Sequence, residues 1–172
     1  MDFYVRAVTA LSRACGVAAA LMILAAVLIV CQMIFVRTVM MESAIWQSEF
    51  VTFILVGATF MGSPYVLLTR GHVNVDLLPL YLPHGARVKL ALLASTLALV
   101  FCAVLLWDSV VWWLEAYEGD WLTSSIWRAR LWIYYASMPI GFAVLSLQYV
   151  ADIYCVATGR EMPFGMSPET RL

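Results

Sequence analysis

The chain has 172 residues, 64% of them hydrophobic and 12% charged, with a formal net charge of −1. An ordinary soluble domain carries about 25% charged residues, so this composition excludes one, and it excludes the basic surface that nucleic-acid binding requires. Four apolar stretches and their connections use up the length, so residues 1–172 read as a single membrane domain with no room for a soluble one.

The apolar runs are Ala14–Val36, Phe50–Thr69, Leu90–Trp107 and Leu131–Ala151, each 18 to 23 residues long. At about 1.5 Å per residue, each run can cross a hydrocarbon core of roughly 30 Å as a helix. The predicted fold is therefore all-α and integral to a membrane, with four spans. The first run is too long for a signal-peptide core, and Cys31–Arg37 offers no small-x-small cleavage site, so it is expected to remain as a span.

Between the first two runs, Glu42 and Glu49 flank Trp46. Glu49 is placed to open the second helix, where a negative charge complements the helix dipole. Within the spans, Gly16/Ala20, Ala58/Gly62 and Ser137/Gly141 are pairs of small residues one turn apart, which let helix backbones approach closely. Pro64 and Pro139 each remove a backbone donor and are expected to kink their helices.

Residues 70–89 join the second and third runs. The stretch Arg70-Gly71-His72-Val73-Asn74-Val75-Asp76-Leu77-Leu78-Pro79-Leu80-Tyr81-Leu82-Pro83 is too apolar for a solvated linker and too short to span. Leu77, Leu78, Tyr81 and Leu82 would share one face of a short helix capped by Asp76. The expected home of this amphipathic segment is the interface plane, against lipid or in a partner's groove. A plain structural turn is the competing reading.

Seven basic residues lie on one side of the spans (Arg6, Arg13, Arg70, Arg87, Lys89, Arg160 and Arg171), and Arg37, Arg128 and Arg130 lie on the other. By the positive-inside rule both termini are cytoplasmic. All seven tryptophans (Trp46, Trp107, Trp112, Trp113, Trp121, Trp127 and Trp132) map to the opposite, outer side. They read as an aromatic belt at headgroup level, or as residues facing a partner.

Few residues offer chemistry. Cys15, Cys31, Cys102 and Cys155 form no C-x-x-C pair, and both histidines, His72 and His84, lie in the cytoplasmic loop, so neither a thiol-redox nor a haem site is indicated. No charged residue stands inside the four runs, whereas a carrier or pump needs a polar foothold at mid-membrane. The few polar residues there include Gln32 and Gln148, which are expected to join helix to helix rather than bind cargo. No enzyme and no cofactor is implied.

In order and spacing, several of these residues resemble one family. They are Arg37 closing the first span, Trp46-x-x-Glu49 opening the second with Gly57 inside it, the Arg70, His72 and Asp76 loop, and Met138-Pro139-Ile140-Gly141-Phe142 in the last span. The chain resembles the small, DctQ-like membrane subunit of tripartite ATP-independent periplasmic (TRAP) transporters. Two features depart from the common pattern: the loop lacks an extra glycine that many members carry, and Gln47-Ser48-Glu49 supplies one acid where many supply two.

The resemblance implies a subunit of the bacterial inner membrane that does not transport alone. It would associate with a separate large membrane subunit, which carries the substrate and sodium sites, and a periplasmic binding protein would deliver organic-acid-type substrates to the pair. The small subunit would enlarge the static scaffold of this ion-gradient-driven symporter. The expected partner contacts are Arg70, His72, Asp76, Glu49, Trp46, Trp112 and Trp113, with Gly57, Gly62, Pro64, Pro139 and Gly141 shaping the helix packing. The alternative is a self-contained oligomeric carrier or channel, which would need an intramembrane acid that the spans lack.

Overall fold

The structure is a computed structural model, and it describes residues 2–69 and 84–159. In chain order the elements are α1 (Asp2–Phe35), which runs on into a π-helical turn (Val36–Met40), then α2 (Gln47–Leu68), α3 (His84–Glu118), α4 (Leu131–Tyr135) and α5 (Ser137–Ala157). Four helical spans are long and apolar enough to cross a membrane: Phe3–Met40, Gln47–Leu68, Gly85–Glu118 and Leu131–Ala157. The described residues contain no strand, only an isolated antiparallel bridge between Leu122 and Arg130.

Two helices are much longer than the runs that predicted them. Apolar patterning detects what sits in hydrocarbon, whereas a helix continues through charged residues that favour it equally well. α1 starts twelve residues before Ala14, its charges Arg6 and Arg13 exposed while Val8 and Ser12 are buried. α3 begins before Arg87 and ends at Glu118, 35 residues that at 1.5 Å each make a rod of about 52 Å.

The fourth span, α4 plus α5, is the hub: α1 and α2 both pack on it, and α3 meets the other described helices through it. α1 lies mainly along α2. Its buried stripe is built from small side chains, Val8, Ser12, Cys15, Ala19 and Ala26, at helical spacing. Ser12 Oγ donates to Gln148 Oε1 at 2.8 Å, fully buried, and Tyr4 Oη donates to the Leu147 carbonyl at 3.1 Å. Gln148 thus joins two helices as expected. Gln32 does not: it lies off the buried stripe, is exposed, and has no partner among the described residues.

The contact between α2 and α5 turns on one carbonyl. Pro64 lies inside α2 and is buried, and it cannot donate to the carbonyl four residues back, that of Phe60. Ser63 Oγ donates to this oxygen at 2.9 Å. Gly141 presses against the same group: a Cβ there would stand 2.5 Å from the Phe60 oxygen. The Phe60 and Phe142 rings meet beside it edge to face, 5.2 Å apart.

Pro139 lies in the first turn of α5, just after the turn at Ala136 that separates α4 from α5. At Gly57 a Cβ would crowd the flexible Met22 Cε, at 2.6 Å, and otherwise touch Ser137 at an ordinary 3.6 Å, and at Gly62 it would make an ordinary 3.4 Å contact with Ala19. Gly141→Ala is therefore expected to cost about 1–3 kcal/mol, because backbone cannot yield as a methionine tip can. Gly57→Ala should cost less. Thermal unfolding of the two variants in detergent, with similar losses expected only if the α2–α5 contact is loose, checks this.

Candidate functional site

The described polar and aromatic residues converge at the end of the bundle where α2 begins, α3 ends and α4 starts. The connection from Gly119 to Arg130 crosses this end and is pinned by its own backbone: Thr123 N–H donates to the Ala129 carbonyl and Leu131 N–H to the Trp121 carbonyl, both at 2.9 Å. Asp120 and Arg128 adopt positive φ angles of 42° and 47°, which lets the chain turn tightly at both shoulders. The Arg130–Asp120 ion pair, 3.7 Å apart and largely exposed, contributes little.

A chain of hydrogen bonds ties this connection to α2. Ser125 Oγ donates to Glu49 Oε2 at 2.8 Å. The serine proton is then committed to the carboxylate, so Thr123 must donate to Ser125 across their 3.0 Å contact. Ala129 N–H in turn donates to Thr123 Oγ1 at 3.0 Å. Every donor points toward the carboxylate, an order in which each bond polarises the next. Glu49 thus opens α2, as its position predicted, and also anchors a segment 76 residues away.

Two aromatic groups flank this chain. On the α2 side Trp127 packs against Trp46, Phe50 and Tyr134 with centroids 6.2–6.3 Å apart, and Phe53 stacks on Tyr134 at 4.4 Å. On the α3 side Tyr117 stacks on Trp113 and meets Trp132 edge-on, while Trp113 Nε1 donates to the Trp132 carbonyl at 3.1 Å. Other aromatic and apolar side chains turn outward: Trp107 is 73% exposed, Trp112 59%, Met41 84% and Ile126 82%.

The predicted site residues therefore divide. Glu49 and Trp46 share one cluster, Trp113 is used inside the chain, and Trp112 faces away from both. Arg70, His72 and Asp76 lie outside the described residues. Sequence reasoning missed Ser125 and Thr123, because a short Thr-Ser-Ser stretch in a connection carries no pattern that names its acceptor, and it placed Trp127 in the outer belt without its packing against α2. It also missed Gln47, which is buried with its Oε1 unpartnered. Nothing in this geometry suggests bond chemistry: the four cysteines are free thiols, and no group of three or more His, Cys, Asp or Glu among the described residues could hold a metal. A double-mutant cycle of Glu49→Gln and Ser125→Ala is expected to show a coupling of about 1 kcal/mol. Either single variant should speed hydrogen exchange in 119–130, and strictly additive losses would contradict the hydrogen-bonded tie.

Among known proteins, the family model described as Tripartite ATP-independent periplasmic transporters, DctQ component, matches residues 26–159. No curated protein and no solved structure matches the chain. The matched region takes in the last ten residues of α1, all of α2, α3 and α4, and α5 to its end, so it includes both the hub contact at Phe60 and the Glu49 tie. The chain belongs to the DctQ family, the small membrane component of TRAP transporters, a family of multi-pass transporter components rather than of enzymes.

Proposed function

We propose that this subunit serves as a static brace in a sodium-driven uptake system of the bacterial inner membrane, enlarging the scaffold against which a separate large subunit moves its substrate. The substrate would be of the organic-acid type, captured first by a periplasmic binding protein. The observation that carries this reading is the lack of any charged residue inside the four apolar runs. A protein that moved ions or anions itself would need such a foothold. Several polar groups at membrane depth are instead spent within the fold: Thr52, Thr59 and Thr96 each donate to the carbonyl four residues back, and Gln148 accepts from Ser12.

The outward surface supports a partner. Gln32 offers an amide at membrane depth, where an unpaired polar group favours a neighbouring helix over lipid. The outer end presents Met41, Trp46, Trp112 and Ile126 beyond or at the headgroup level. In this reading Glu49 and Trp113 shape that end from within while Trp46 and Trp112 meet the partner. Both termini are cytoplasmic, and the 70–83 segment lies in the opposite interface, with Arg70, His72 and Asp76 fixing it there.

Vesicles test the brace directly. The chain alone is expected to give no solute uptake, and uptake should require the large subunit, the binding protein and a sodium gradient together. Uptake by the chain alone would overturn the proposal in favour of an oligomeric carrier. Arg70→Glu is expected to weaken co-purification with the large subunit, and uptake with it, without affecting membrane insertion. Normal assembly and uptake by that variant would remove the loop from the interface.

A further inference from the structure

Between α3 and the fourth span lies an open cavity of about 330 Å³, within the range of small-molecule sites. It sits beside the turn at Ala136 that interrupts the fourth span, and its walls are ordered by depth. Leu105 and Phe142 line it toward the middle of the spans, and Met138 closes its centre. Asp108 and Ser109 lie one turn nearer the end of the bundle, and Trp112 and Tyr135 one turn beyond or level with them. The two helices run in opposite directions, yet both walls grade from apolar to polar in the same sense.

Asp108 fixes this cavity relative to the bilayer. It is the first charged residue after Lys89, and the eighteen residues between them, at 1.5 Å each, span about 27 Å of hydrocarbon. The carboxylate therefore stands at the hydrocarbon edge. It is exposed and has no hydrogen-bond or ion-pair partner among the described residues. Unlike Lys or Arg, its side chain is too short to reach water by bending outward, so an unpaired charge there is costly. Ser109 Oγ does not answer it, because that hydroxyl donates to the Leu106 carbonyl at 2.8 Å. Trp107 and Trp112, both well exposed, place indole rings around the same level.

We infer that this cavity is a phospholipid site: an acyl chain lies along Leu105, Met138 and Phe142, and a headgroup ammonium pairs with Asp108. The cavity opens outward between the two spans, where lipid is the most abundant apolar molecule a membrane offers, with Trp112 at its rim between the cavity and the partner contact, and the lone carboxylate selects a headgroup that carries a positive amine over one that is purely anionic. The inference depends on the chain spanning a membrane and not on the transport reading.

The test is lipid retention by the full-length chain, measured by native mass spectrometry after exchange into equal mixtures of phosphatidylethanolamine and phosphatidylglycerol. The native chain is expected to retain phosphatidylethanolamine preferentially, and Asp108→Asn, which keeps the side-chain shape, should reduce that preference roughly fivefold. Met138→Trp, which fills the cavity, should release lipid of either kind while leaving the helical content unchanged. Equal retention of the two lipids by the native chain would overturn the inference, as would an unchanged preference in Asp108→Asn or full retention in Met138→Trp. Crosslinking of the Met138→Cys variant to a second protein chain in place of lipid would also overturn it. None of these outcomes bears on uptake, so a failure here leaves the brace proposal standing.

Discussion

The carbonyl of Phe60 is the point on which the bundle depends. Pro64 deprives it of its helical donor, Ser63 replaces that donor from the side, and Gly141 supplies the space for α5 to lie against it. In a bilayer no water can satisfy a stranded carbonyl, so this group must be answered by protein. The solution is economical, since the same oxygen that proline strands also marks a close approach of the second and fourth spans at Gly141. α1 lies mainly along α2 and also touches the fourth span, and α3 rests on the fourth span, so both helices are placed relative to this approach.

The rest of the interior obeys the same constraint with different means. Lipid tails are as apolar as leucine, so burying apolar surface gives little drive for helices to associate, and close packing and hydrogen bonds must do more. The buried face of α1 is accordingly lined by Ser12, Cys15, Ala19 and Ala26 rather than by large side chains, and a buried interhelical side-chain bond runs from Ser12 to Gln148. Outside the hydrocarbon the strategy changes. There the aromatic groups around Trp127 and Trp113, and the polar chain ending at Glu49, hold the connection between α3 and α4 in place.

This division explains what was legible in the sequence. The number of spans follows from hydropathy alone, because a bilayer imposes a length and a composition together. The small residues at Gly57, Gly62 and Gly141 also announce close packing, but not which helix they meet, since spacing is local and the partner is remote. The helix ends were not legible, because α1 and α3 run on through charged residues that no apolar pattern would include. Gln32 and Gln148 show the limit well: two identical amides at membrane depth looked equivalent, and only the phase of each around its helix set one inside and the other outside. The Glu49 tie was half visible. A carboxylate at a helix start is expected from the dipole, but its serine donor sits in a connection without periodicity.

The length of α3 has a mechanical consequence. A helix unbroken from Gly85 to Glu118 joins the two faces of the membrane as one stiff member, gripped near its middle and far end mainly by the fourth span among the described residues. Such a member acts as a lever: a small tilt about its contact with α5 would swing the tip at Glu118, and with it the connection hung from Gly119, sideways by several ångströms. The bond from Ser125 to Glu49 runs from that connection back to α2, a stay that holds the lever upright. Whatever docks on the far end would thus meet a surface whose stiffness is set by a hydroxyl and a carboxylate rather than by the thickness of the lipid.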